Sequence, residues 1–544
     1  MVVSSCPDQL RVVEATHDFH LHAAWHGRSG FNRFDFRWAG RGRVARVRLA
    51  ARPLAPSFGC GCRPVPGRGA DNLPETRTTI TLQPGVTLTT IHRGVPDTTD
   101  AWTIEVYSAD PNPDPDAPKL AITDQTEANQ SAATLTAAAL TPRVEAVNTP
   151  QTADTGGLLG YRTRVSTFAT AADAATTLTA VKATGLSGSA VYTGWDDDAG
   201  SAPSQGPWNL DVISIDPHTF TGQLVGDYGP NLYNREPTFA LAPGDPAGVA
   251  VYHGIIEREA TNGRPAFIVH ANTGRSEIAR LWWHGTLQGA HHNTLTLSGL
   301  NRVPGLIRNC GEPGDTPTSQ PQQDITCTKA SEIVAFDNSY ATTTPTGPGT
   351  EVVLDATGRI VSINNTRVTT IPAGGRTIQA IGDDATALTT LAQHNTTLRI
   401  DSTLFTENGR PLHLTPDETI INGSPLLIQP GQIHTTPAQD GAVHPGQPNY
   451  YYGWAHKRNP RTLVGIDCQG RTLLITADGR STNSLGLSIT EEANVAKSLG
   501  LQQAMNLDGG GSTTTVINGQ VINTPSDTTG QRPIGDALEV LPPT

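Results

Sequence analysis

The residues of this chain best suited to chemistry gather near its C-terminus, around Met505-Asn506-Leu507-Asp508-Gly509-Gly510-Gly511-Ser512-Thr513-Thr514. Consecutive glycines let the backbone take positive φ and approach a ligand closely. Successive N–H groups in such a turn form an anion-binding concavity. Asn506 and Asp508 alternate at strand spacing, so they share one face. Ahead of them stand Asn459-Pro460-Arg461-Thr462, Gly465 and Asp467. Next comes Thr476-Ala477-Asp478-Gly479-Arg480, which reads as a strand ending in an Asp-Gly turn. Behind them are Asn523, Pro525, Ser526, Asp527 and Arg532-Pro533. Each alone is what an ordinary hydrogen-bonded turn would use. Together they set carboxylates, guanidinium groups and amides at strand ends beside glycine turns, where sites are built. The oxygens of Asp, Asn and Thr also admit Ca2+ or Mg2+, although no dense Asp-x-Asp run demands a metal. No Walker loop, G-x-S-x-G elbow or H-E-x-x-H pair is present.

Strands and one clear helix must position these groups. Ser488-Ile489-Thr490-Glu491 before Ala493, Val495, Ala496 and Leu499 predicts a helix opened by a capping box. Gly500 is its stop signal. Strand-like runs include Leu210–Ile215, Ala266–His270, Val352–Leu354, Leu463–Ile466 and Leu473–Thr476. From residue 207 to 544 the pattern predicts one larger α+β domain with a mixed sheet. Before it, a pattern occurs twice within 100–195. The first copy is Trp102–Tyr107, a helix over about 125–140 and Arg143–Val147. The second is Leu159–Val165, a helix over about 171–184 and Ser189–Tyr192. This is the β-α-β-β-α-β, ferredoxin-like split arrangement. Residues 73–99, with Val86–Ile91, read as a strand-like lead-in. Gly194-Trp195-Asp196-Asp197-Asp198 reads as an acidic linker.

The 544 residues and a net charge of −12 fit a multi-domain globular protein and argue against nucleic-acid or anionic-membrane binding. No 18-residue apolar run exists, so no transmembrane helix is expected. Residues 1–70 differ from the rest, with 11 Arg, no Lys and four acids. Residues 1–72 are expected to be disordered. They show no readable signal peptide, and their histidines and Cys6, Cys60 and Cys62 lack the second ligand pair that a metal site would want. The acidic, Thr-rich remainder suggests a secreted or cell-wall-associated bacterial protein. In that setting Cys310 and Cys327, which bracket a polar loop, are predicted to form a disulfide, contributing about 3 kcal/mol in the chain-entropy model.

Two resemblances emerge from these motifs. Tyr161, Arg162, Arg164, Val165, Phe168, Ala172, Leu178 and Gly185 resemble the sporulation-related repeat (SPOR) domain, which implies peptidoglycan binding by 100–195. The ordered set PRT (460–462), DGR (478–480), SxGL (484–487) and NLDGGGS (506–512) resembles the phosphodiester glycosidase family. Weaker likeness reaches back to about 207, through 243–248, Asn301-Arg302, Asn422-Gly423-Ser424-Pro425 and Tyr451-Tyr452-Gly453. One family element is missing. An Asn-Gly-Gly-Phe/Tyr-Phe strand should stand between Thr238–Ala242 and Pro243, which are directly joined here.

The second resemblance implies hydrolysis of a sugar-1-phosphodiester, such as a GlcNAc-1-phosphodiester, at the anomeric C–O bond. The departing phosphomonoester is a stable anion, so less leaving-group protonation is needed than in ordinary glycoside hydrolysis. Asp508 is then expected as nucleophile, base or oxocarbenium stabiliser, and Asp478 as the second carboxylate. Arg461 and Arg480 are expected to hold phosphate in bidentate fashion. The Gly509, Gly510, Gly511 and Ser512 backbone would donate N–H groups, and Asn506, Thr476 and Asn422 would orient sugar hydroxyls. Two other readings stand beside this one. The first is a non-catalytic glycan- or wall-binding protein on a hydrolase scaffold that lost its Asn-Gly strand. The second is a metal-dependent phosphodiesterase cleaving the P–O bond.

Overall fold

The computed structural model describes residues 73–108, 119–197, 204–241, 247–251, 263–270, 273–290, 293–308, 316–317, 326–413, 415, 418–443 and 448–543, with two short strands near the N-terminus. It divides into two compact units, Met1–Gly61 and Cys62–Thr544. In the first, Ala23–Ala24 pairs antiparallel with Asp35–Phe36. The disorder expected of 1–72, its histidines and its cysteines otherwise lie outside the described residues.

The second unit is organised around a seven-stranded antiparallel sheet. Its order is Leu426–Ile428, Leu501–Asn506, Arg461–Asp467, Thr472–Ala477, Trp208–Ile215, Val86–Arg93, Glu75–Gln83. The inner strands are apolar at successive positions because both faces are covered. One face presents Ile91, Leu210, Leu463 and Ile475 to Ala493 and Ala496 of the helix Ile489–Ser498. The other presents Leu88, Ile213, Val464 and Leu474 to Phe267, Leu538 and Val540 of two further sheets. Ser488 opens the helix as expected: its side chain accepts from Glu491 N–H, and Glu491 reaches back to Ser488 N–H. Gly500 ends it at φ +86°.

Of the two further sheets, one runs Gln223–Asp227, Asp536–Leu541, Ala247–Val251, Thr515–Ile517, Gln520–Val521, and the other includes Arg264–His270, Arg275–Gln288 and Thr419–Asn422. A third, containing Glu332–Phe336, Gly347–Leu354 and Arg376–Ile381, packs against the helix Asp383–Gln393, which sequence reading missed. The expected mixed sheet is found in this third sheet and nowhere else among the described strands. Among the described strands only Gly299–Leu300 runs parallel to its neighbour, Glu332–Phe336. No helix among the described residues is long and apolar enough to cross a membrane. The join at 242–246 and the predicted Cys310–Cys327 pairing lie outside the described residues. Cys468, in the turn after Arg461–Asp467, is disulfide-bonded.

The doubled β-α-β pattern is present, with strand order Pro142–Thr149, Gly157–Phe168, Trp102–Tyr107, Ser187–Tyr192 and helices Gln125–Ala137 and Ala175–Ala183. All neighbours are antiparallel. Its placement corrects the expected organisation. Val86–Arg93 pairs along its whole length with Trp208–Ile215. Glu75–Gln83 and Val86–Arg93 are therefore the last two strands of the main sheet, and the module is an insert between two of its adjacent strands.

The insert is also fastened to the rest of the unit by buried charge. Period-two alternation puts Ile104 and Val106 toward the helices, with Leu135 and Val181, and turns Glu105 to the helix-free face. There Glu105 accepts from Arg164 (2.9 Å), Tyr452 Oη (2.6 Å) and Lys457 Nζ (2.8 Å). Arg164 also pairs with Asp196 at 2.7 Å, and Arg162 donates to Tyr452 Oη at 3.2 Å. Burial alone would raise the Glu105 carboxyl, but Lys457 and Arg164 hold it down to about 2. Asp196 and Asp197 are buried within this contact. Residues 194–197 are therefore a docking segment and not a linker.

Candidate functional site

Strand pairing brings the sequence motifs to one end of the seven-stranded sheet. Arg461, at the start of its strand, lies opposite Ala477, the end of the next, and Leu463 lies opposite Asn506. The Pro-Arg-Thr, Asp-Gly-Arg and Asn-Leu-Asp-Gly segments thus meet at one edge. Leu507 N–H donates to Thr462 O at 2.8 Å, and Gly510 N–H donates to Pro460 O at 2.9 Å.

Close backbone approach explains the glycines. A Cβ on Gly509 would stand 2.6 Å from Pro460 O and 3.2 Å from the Trp454 ring. Gly510 has φ +61°, and a Cβ there would meet the Arg480 guanidinium at 3.1 Å. A Cβ on Gly511 would collide with both carboxylate oxygens of Asp527. Asp527 is clasped by Arg532 through Nε (2.8 Å) and a second nitrogen (3.1 Å). Two arginines, Arg480 and Arg532, therefore flank the glycine turn. Asp508 enters that turn half-buried, its Oδ1 accepting from Gly509 N–H at 2.9 Å.

Arg480 is exposed and adopts φ +55°, a sparsely populated conformation for a residue with a side chain. Such outliers persist where their surroundings fix them. Here Arg480 Nε donates to Asn459 Oδ1 at 3.1 Å.

The amides form a second feature. Gly423 lies against Asn506 O, and Asn506 Nδ2 donates to Ser424 O at 2.5 Å. Asn422 is 2 % exposed, yet neither polar atom of its amide has a hydrogen-bond partner among the described residues. Asn506 is 1 % exposed, and its Oδ1 is likewise unpartnered. Buried amides normally find partners, so these two are capable of meeting ligand hydroxyls.

Other expected site residues serve the scaffold. Arg461 is fully buried; its Nε donates to Leu487 O at 2.8 Å, a terminal nitrogen donates to Trp454 O at 2.5 Å, and the guanidinium stacks on Trp454 at 4.6 Å. Burial lowers it to about 10, so it stays cationic. These bonds tie it to the segments behind the glycine turn, while its Nη1 is buried with no hydrogen-bond partner among the described residues. Thr476 is buried between sheets, its hydroxyl 2.7 Å from that of Thr515. Asp478 accepts from Thr524 N–H (3.0 Å) and Asn523 Nδ2 (3.2 Å), fixing that turn, and burial pushes its carboxyl up. Ser512 is buried. The N–H groups of Gly509, Gly510 and Ser512 are spent on Asp508, Pro460 O and Gly509 O, so the turn is not an open row of donors.

Sequence reading quoted Asn459 and Arg532 without giving them a role and passed over Trp454 and Glu492. Three of these lie within or next to the quoted motifs, but their types do not announce their use. Glu492 carries no such signal. It is fully buried on the helix Ile489–Ser498, with neither carboxylate oxygen partnered, and burial pushes it up to about 8. No group of three or more His, Cys, Asp or Glu among the described residues is placed to hold a metal.

Comparison with known proteins bears on this site. Residues 349–541, which contain all four motifs, match the family model of phosphodiester glycosidases. A mouse (Mus musculus) N-acetylglucosamine-1-phosphodiester alpha-N-acetylglucosaminidase is 34 % identical over 113 residues, 21 % of this chain and 22 % of that protein. The match thus spans about a fifth of that relative's length. An uncharacterized prophage-derived protein of Bacillus subtilis, YomE, is 36 % identical over 92 residues, 16 % of this chain and 14 % of its own. A crystal structure of a Burkholderia pseudomallei protein described as exported superposes over 87 % of this chain and 98 % of its own, at TM-score 0.75 and 29 % identity.

Proposed function

Residues 349–541 are a phosphodiester glycosidase domain, and from that premise we propose that this chain hydrolyses a sugar-1-phosphodiester of the GlcNAc-1-phosphodiester type at its anomeric C–O bond. The observation that carries the reading is the glycine turn itself. It places the Asp508 carboxylate at one end and the Arg480 and Arg532 guanidinium groups against Gly510 and Gly511, and the strands around it carry the unpartnered amide of Asn422 and the unpartnered Oδ1 of Asn506.

The roles follow from charge. As the C–O bond breaks, positive charge develops at the anomeric carbon and negative charge on the leaving phosphomonoester. Asp508 stabilises the first, as a carboxylate at fixed distance, or captures it as a nucleophile. Arg480 stabilises the second, with Arg532 replacing the expected Arg461 as the second cation. Interactions that strengthen as charge develops accelerate the step. Asn422 and Asn506 orient sugar hydroxyls. Asp478 acts through the 523–524 turn.

We place the protein outside the cytoplasm, secreted or at the cell wall, in keeping with the Burkholderia relative described as exported. Peptidoglycan binding by the insert is not part of this proposal, because its helix-free face is taken up by Tyr452, Lys457 and Asp196. A non-catalytic role is the second reading, favoured by the Asn-Gly-Gly-Phe-Phe strand missing before Pro243. Release of free GlcNAc from a GlcNAc-1-phosphodiester by the full chain separates the two. Turnover supports hydrolysis, and its absence across sugar-1-phosphodiesters supports the second reading.

A further inference from the structure

A short segment joins the insert to the site. Residues Tyr451–His456 form a wide helical turn, and the chain then runs Lys457-Arg458-Asn459-Pro460 into the strand that begins at Arg461. Every residue from 457 to 459 is tied on one side or the other. Lys457 Nζ reaches Glu105 of the insert at 2.8 Å and lies over the Tyr452 ring. Arg458 N–H donates to Trp195 O at 2.8 Å, and its guanidinium donates to Gly194 O (2.8 Å) and Asp196 O (2.5 Å). The same guanidinium clasps both Glu491 oxygens at 2.8 Å. Asn449 accepts from Ile122 N–H (2.7 Å) and donates to Ile122 O (3.0 Å).

Asn459 passes this anchorage to the site. Its Nδ2 donates to Gly453 O (3.0 Å) and Lys457 O (3.1 Å), and its Oδ1 accepts from Arg480. Its backbone pairs with Leu487 in both directions. Gly479 and Gly486, which frame Arg480, pack directly on the Asn459–Pro460 backbone, where any Cβ would clash. The left-handed conformation of Arg480 is therefore moulded on a segment that the insert holds.

We propose that the insert is a positioning element of the site: its buried Glu105 holds Lys457, the backbone of 194–196 holds Arg458, these fix Asn459, and Asn459 sets the Arg480 guanidinium over the glycine turn. This rests on the reading of Arg480 as the phosphate-binding group. Lys457 and Asn459 are positioning residues; neither touches substrate.

The test is a double-mutant cycle in the full chain with Lys457→Met and Arg480→Lys, read by KM and kcat on a GlcNAc-1-phosphodiester and by amide hydrogen exchange. Lys457→Met is expected to raise KM about 10-fold with kcat within about twofold, and the double variant to be no worse than Arg480→Lys alone. Amides of 478–487 should exchange faster in Lys457→Met, and Lys457→Gln serves if that variant fails to fold. Additive KM effects, or unchanged exchange at 478–487, would overturn the proposal. If the wild-type chain turns over no sugar-1-phosphodiester, the functional reading fails, and the exchange at 478–487 still decides whether the insert holds the segment.

Discussion

Single residues at this site divide by what surrounds them, and that division was only half visible in the sequence. That Asp508, Arg480 and the three glycines lie close together was legible, because glycine runs and Asp-Gly turns at strand ends mark where strands meet. The burial of Arg461 and Thr476 was not legible, because it is set by partners that sequence spacing does not reveal. Asp508→Asn keeps size and the hydrogen bond from Gly509 N–H but removes charge, so kcat should fall about 10²–10³-fold while the melting temperature barely moves. Activity near wild type would remove Asp508 from the mechanism. Arg480→Lys keeps charge and loses the planar fork, and should raise KM more than it lowers kcat; steady-state kinetics on the same substrate checks it. Glu492 gives a pH prediction. Its folded value, about 8, lies above the ordinary 4.5. The protonated form therefore favours folding: its contribution is full below about 4.5 and is lost as pH rises through about 8. Glu492→Gln should melt about 2–5 °C higher than wild type at pH 8.5, with the gap closing by pH 5. A constant gap across that range would count against the assignment.

At the scale of elements, the strands and the capping-box helix were readable because their signals are local. Ser488, Glu491 and Gly500 sit at cap spacing, and apolar runs mark the inner strands. The helix Asp383–Gln393 was not, because it buries few residues, chiefly Leu388, Leu391 and Ala392. The turn Tyr451–His456 has no hydrophobic period at all. Ser488 carries two loads, capping the helix and donating to Asp197 of the docking segment at 2.5 Å. Ser488→Ala is therefore expected to cost about 1–2 kcal/mol, the upper part of the range for a lost cap. Denaturant unfolding measures it, and a loss below about 0.5 kcal/mol would show that neither bond matters to stability.

For the whole molecule, the insertion was illegible because strand order in a chain does not encode adjacency in a sheet. His92 and Asn209 are 117 residues apart, yet their side chains meet at 2.9 Å across paired strands. The buried cluster at Glu105 fastens the insert to the rest of the unit. Because the Glu105 carboxyl is depressed from 4.5 to about 2, its stabilising share is present above about 4.5 and is lost as pH falls through about 2. Acid should loosen the insert first, seen as faster exchange at 102–107 near pH 3. Arg164→Met strands a buried carboxylate and should cost about 3–5 kcal/mol. The central claim concerns the bond that breaks, and one measurement addresses it. The full chain is incubated with a GlcNAc-1-phosphodiester in ¹⁸O water, and the products are weighed by mass spectrometry. Cleavage at the anomeric carbon puts the label in the released GlcNAc; label in the phosphate, or no release at all, would contradict the account.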